Sequence, residues 1–80
     1  MPLTPAQQGK LQGYMQHLKG DIDGAMNGRE LSGAWTGSPY KDDFIACAKA
    51  VKNFQPPPHD INAIIFYEAC RLAGIDPEDT

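Results

Sequence analysis

Oxygen-bearing side chains crowd into one short stretch, KGDIDGAMNGREL, which runs from Lys19 to Leu31. Asp21, Asp23, Asn27 and Glu30 surround Gly24 at the alternating spacing by which a loop wraps a hard cation such as calcium. A second set is softer. Cys47, Cys70, His17 and His59 are the residue types that hold zinc, yet none of them forms a C-x-x-C or H-x-x-x-H pair. The same thiols and imidazoles are the ingredients of a nucleophile pair, but both cysteines sit in apolar helical patterns, where a thiolate is disfavoured. The adjacent carboxylates Asp42 and Asp43 suit the positive end of a helix and need no acid–base role. The chemistry expected is therefore non-enzymatic, with no catalytic residue, no cofactor and no bound metal.

The stretch resembles an EF-hand loop, a likeness covering about twenty residues. With Gly24 at the sixth position, Asp21 and Asp23 take the third and fifth, Asn27 the ninth, and Glu30 the twelfth, where a bidentate carboxylate belongs. Met26 takes the apolar eighth position, and Leu11, Tyr14, Met15 and Leu18 have the spacing of the incoming helix. The likeness implies a helix–turn–helix corner. Lys19 breaks the pattern, because an ammonium replaces the first carboxylate ligand, and no second loop of this kind follows. The expectation is a corner without its ion, the helix breaking near Gly20. The rival is one helix from Pro5 to about Asn27, with Gly9, Gly13, Gly20 and Gly24 on one stripe; four interior glycines would cost it about 3–4 kcal/mol relative to alanine.

Elements that must position these groups are well marked. Thr4, Pro5 and Gln7 form a capping box at the start of the first helix. Ser38 and Pro39 start another, with Asp42 and Asp43 in its first turn, Lys49 and Lys52 in its last, and a buried stripe of Tyr40, Phe44, Cys47, Ala48, Val51 and Phe54. Pro56, Pro57 and Pro58 end that helix. Asp60 caps the last one, which runs to about Ala73 and closes at Gly74, with Ile75 folding back. Ile61, Ile64, Ile65, Phe66, Ala69, Cys70, Leu72 and Ala73 surround most of its circumference, leaving Asn62, Glu68 and Arg71 as its polar positions. Such a helix is either central or covered by a second chain, and a homodimer through it is the favoured assembly. The fold class expected is all-α: a small bundle of three long helices plus a short helical turn around Arg29 to Trp35.

At 80 residues the chain makes one domain, 1–80, with a short acidic tail at 76–80. Residues 1–75 carry seven basic and seven acidic side chains, so the net charge of −3 comes from Asp76, Glu78 and Asp79. That balance disfavours nucleic acid, whose phosphates need clustered Lys and Arg. No apolar run is long enough for a membrane span, and no secretory leader is recognisable at the start, so a cytoplasmic protein with reduced thiols is expected. A bridge between Cys47 and Cys70 stays open at this stage.

The expected partner is a protein. Trp35, the single tryptophan, with Arg29 and Tyr40, has the side-chain types of an interface anchor, the other reading being that Trp35 lids the core. Lys41, Lys49 and Lys52 flank Ile45 on one side of their helix and form a candidate face for phosphate or an acidic partner. In size, acidity and lack of an active site the chain resembles the small inhibitors carried by phages and mobile elements, anti-CRISPR proteins among them. No motif carries that likeness, so it transfers no residue. It implies occlusion of a host nuclease or nucleic-acid-binding complex. The alternatives are a degenerate EF-hand module that binds a peptide or weakly an ion, and a nucleic-acid binder using the lysine face.

Overall fold

The computed structural model describes residues 3–79, and among them every regular element is helical. Helix α1 spans Pro5–Lys19, α2 Asp21–Met26, α3 Lys41–Lys52 and α4 Ile61–Ala73, with single 3-10 turns at Gly33–Trp35 and Pro77–Asp79. The molecule is thus an all-α bundle of three long helices, to which α2 adds a short fourth.

The capping box at α1 is present in full: Thr4 Oγ1 accepts from the Gln7 N–H at 3.2 Å, and the Thr4 N–H donates to Gln7 Oε1 at 2.9 Å. Beyond it, Leu11 and Leu18 are buried and Tyr14 and Met15 half-buried, which lays one narrow stripe of α1 on α4. The helix stops at Lys19, and α2 restarts at Asp21 to pack on α3. Gly20 between them keeps right-handed dihedrals (φ −63°, ψ −21°), so the interruption is mild. The helical turn expected around Arg29 to Trp35 shrinks to Gly33–Trp35.

Helix α4 is the centre. It touches α1, α3 and the final 3-10 turn, and Ile64, Ile65, Ala69 and Cys70 are buried. Ile61, Phe66, Leu72 and Ala73 are half-buried, and Tyr67 is its one exposed large apolar side chain. The chain thus covers one side of its last helix fully, and leaves Ile61, Phe66, Leu72 and Ala73 only partly covered.

One helix start differs from expectation. Regular α3 begins at Lys41 after a turn, although the Ser38 hydroxyl still accepts from the Tyr40 N–H at 3.1 Å. The acidic tail is partly ordered: Asp76 Oδ1 accepts from the Glu78 N–H at 3.0 Å and opens the last 3-10 turn. Thr80 lies outside the described residues.

Both cysteines are free and buried, so the chain is not stapled. The Cys47 thiol donates to the His59 carbonyl at 3.4 Å. Burial pushes the Cys70 thiol above its ordinary range, and the charge of Asp76 adds to the effect. Alkylation by iodoacetamide near pH 8 should therefore run at least about tenfold slower in the native protein than in urea. Mass spectrometry checks this, and equal rates would show that the thiols are accessible.

Candidate protein-binding surface

The residues of the calcium-like stretch are turned to structural work. Residues 21–26 form a helix instead of a ligand-gathering loop. Asp21 Oδ2 accepts from Ser32 Oγ at 2.7 Å and from the Trp35 indole N–H at 2.9 Å. Asp23 instead turns to Asn27 and Arg29, the guanidinium standing 3.4 Å away in an exposed ion pair. Glu30 is exposed. Among the described residues no three His, Cys, Asp or Glu side chains gather as a metal site would require.

Trp35 is a core residue. It is 0% exposed, and its ring lies 4.2 Å from that of Phe44. Its role as a surface anchor is corrected on that ground: the Asp21 acceptor satisfies the indole N–H, so the whole ring can be buried without an orphaned donor. The proposed trio does not assemble. Arg29 is exposed beside α2, whereas the half-buried Tyr40 stacks on Tyr67, centroids 6.2 Å apart.

One of the polar positions of the last helix is buried. Glu68 is 0% exposed, the only buried charged side chain among the described residues. Ser38 Oγ donates to its Oε2 at 2.6 Å, and Arg71 clamps both oxygens through Nε, at 3.1 Å to each, and through Nη2. Those hydrogen bonds raise the Arg71 pKa above its ordinary value, with burial opposing and the Glu68 charge assisting. The cluster ties the turn before α3 to α4.

His17 lines a shallow, open groove of about 420 Å³ with Gly9, Lys10, Gly13 and Tyr14. A Cβ on Gly9 or Gly13 would meet nothing within 4 Å, so the glycine stripe receives no other backbone of this chain. His59 stands apart, its Nε2 at 3.4 Å from Asp43 Oδ1. Asp42 is exposed in the same first turn of α3.

The lysine face is present and open. Lys41, Lys49 and Lys52 are all exposed beside the half-buried Ile45, and none has an ion-pair partner among the described residues. Where α3 ends, an unexpected feature appears. Phe54, assigned by its spacing to the buried stripe, is 98% exposed, and the neighbouring Val51 is 42% exposed. The reason is the way the helix closes.

Three helices of this chain end in the same left-handed motif, in which one residue adopts positive φ and the next donates back across the last turn. At α2 that residue is Gly28 (φ 69°), with the Arg29 N–H donating to the Gly24 carbonyl at 2.7 Å. At α4 it is Gly74 (φ 70°), with the Ile75 N–H donating to the Cys70 carbonyl at 2.9 Å and Ile75 buried. At α3 it is Phe54 (φ 56°), with the Gln55 N–H donating to the Ala50 carbonyl at 2.9 Å. Phe54 is the one non-glycine residue with positive φ among those described. A bulky residue there costs roughly 1–2 kcal/mol. The turn rotates the ring off the buried stripe and into solvent, which forgoes a further 1.5–3 kcal/mol or so of burial.

The exposed surface continues from there. Every residue from Val51 to Asp60 is exposed, including Pro56, Pro57 and Pro58, and the Cys47 and Asp43 contacts to His59 hold the far end against α3. The corner therefore presents an aromatic ring, a valine, three prolines and nearby ammonium groups on a fixed base. Such a surface has the side-chain types by which a partner is bound. Set beside family models, curated proteins and solved structures, the chain matches none of them.

Proposed function

We propose that this chain is a non-enzymatic protein-binding inhibitor or adaptor, of the phage-borne or mobile-element kind that occludes a host nuclease or nucleic-acid-binding complex, and that Phe54 anchors it. One observation carries the reading: an aromatic side chain is held 98% exposed on a left-handed backbone, where the isolated chain gains nothing from it. Strain and exposure at one residue are what a partner's pocket would repay. The exposed Lys49 and Lys52 in the last turn of α3, without an ion-pair partner among the described residues, favour a pocket with an acidic rim.

Phe54→Gly tests this with opposite signs on two readouts. Glycine relieves the positive φ, so Tm should rise by a few degrees, at roughly 4–8 °C per kcal/mol for a domain of this size. Binding should fall. Cross-linking of the wild-type chain in a bacterial host lysate, followed by mass spectrometry, should recover a protein whose capture Phe54→Gly abolishes and whose nuclease or nucleic-acid-binding activity the wild-type chain blocks. A lower Tm would make Phe54 a structural residue. Equal capture by both chains, or direct, salt-sensitive binding of the purified chain to DNA or RNA lost on Lys49→Glu, would replace the proposal.

A further inference from the structure

Resting on that reading, we infer that the partner engages the α3–α4 corner with an aromatic-lined groove that reads extended, proline-rich chain, taking Phe54 in an adjoining apolar pocket.

The backbone of the segment is dictated by its sequence. Proline fixes φ near −65°, and a residue that precedes proline is pushed out of the helical region. Gln55, Pro56 and Pro57 each precede a proline, so all three are driven to extended, polyproline-II dihedrals. Consistently, residues 55–57 belong to no helix or turn, and the chain bends only at Pro58 and His59. Three residues complete one turn of such a helix, which carries no internal hydrogen bonds and leaves its carbonyls free to accept.

Both ends of the segment are held. At its start the left-handed turn of Phe54 sets the exit direction from α3, through the Gln55 to Ala50 hydrogen bond. At its close, His59 meets Cys47 through its carbonyl and Asp43 through its ring, and Asp60 caps α4 by accepting from the Asn62 and Ala63 N–H groups at 3.0 and 3.3 Å. An extended segment fixed at both ends loses little entropy on binding, the advantage that proline-reading grooves exploit. A connection needed only to join α3 to α4 could turn back with fewer exposed apolar side chains. Charge sets the groove's rim: Lys49 and Lys52 have no acidic partner among the described residues, so carboxylates beside the groove complement them.

The test uses the full chain, isotopically labelled, titrated with recombinant SH3 and WW domains as probes of aromatic proline-reading grooves. Amide resonances of residues 51–55, 59 and 60 should shift with at least one domain, while those of α1 stay in place. Phe54→Ser should weaken that binding roughly ten- to a hundredfold, as expected for losing one buried aromatic side chain. Absence of shifts with every domain at millimolar concentration overturns the inference. A second arm separates it from the broader reading. The triple variant Pro56→Ala, Pro57→Ala, Pro58→Ala, checked by circular dichroism, should lose capture of the cross-linked partner. Capture that survives the triple variant but not Phe54→Gly would reject the proline groove and leave protein binding intact. Capture that survives both would reject the corner as the binding surface.

Discussion

Trp35→Ala is expected to remove the cooperative thermal transition, or to lower it so far that a large fraction of the chain is unfolded at room temperature. The ring is fully buried against Phe44, so its truncation costs roughly 3–5 kcal/mol. A domain of this size holds roughly 5–15 kcal/mol in total, and a small core without disulfides belongs at the low end. The substitution also strips Asp21 of one of its two donors, loosening the tie between α2 and the 3-10 turn. Trp35→Phe separates the two effects: it keeps most of the volume, loses the N–H, and should cost about 1–2 kcal/mol. Circular dichroism melts and urea titrations measure both variants. A cooperative Tm within about 5 °C of wild type for Trp35→Ala would show that the ring is not the keystone that its burial indicates.

The second large effect lies at Glu68, and it is asymmetric. Arg71→Met leaves a fully buried carboxylate with only the Ser38 hydroxyl, and unpaired buried charge of this kind costs roughly 3–5 kcal/mol. Glu68→Gln should cost less, because the amide still accepts from Ser38, while the Arg71 side chain, 40% exposed, can reach water. The double variant Glu68→Met, Arg71→Met should be more stable than Arg71→Met alone, since apolar side chains of similar size remove the charge along with its partner. Urea denaturation of these proteins, with Glu68→Met alone added, closes the cycle. A double variant no more stable than Arg71→Met would mean that the buried pair contributes net stability, and that its value lies in more than avoiding an orphaned charge.

The boundaries of α1 and α4 are set by local chemistry, and that is why they were legible. Thr4 with Gln7, Asp60 with the amides of Asn62 and Ala63, and Gly74 with Ile75 act within a few residues of one another, and the structure has each of them in place. The apolar stripes of α1 and α4 were legible for the same reason: a period of 3.6 residues needs no knowledge of neighbours. The site was less so. Lys41, Lys49 and Lys52 were identified as one exposed face because helical spacing alone puts them there. Phe54 was misplaced because the same spacing, continued one turn too far, assigns it to the core. Its positive φ is set by the way α3 closes, and no residue type in Lys52-Asn53-Phe54-Gln55 announces a left-handed phenylalanine.

Two further residues were decided by tertiary contact. The alternating carboxylates of Asp21 and Asp23 suggest one ligand set, but in a helix neighbours two apart point in different directions, and Trp35, fourteen positions on, claims Asp21. Glu68 reads from the sequence only as one of three polar positions on an apolar helix. It is buried because the turn at Ser38, thirty positions earlier, lies across it, and because Arg71 neutralises it there. By itself, then, the amino-acid sequence determined the all-α class, the caps of α1 and α4, the exposed lysine face and the stiff proline segment, all consequences of forces acting within about one helical turn. Which polar groups are buried, where Trp35 points and which aromatic ring is left in solvent depended on elements far apart in the chain meeting in space, and only the tertiary structure decided them.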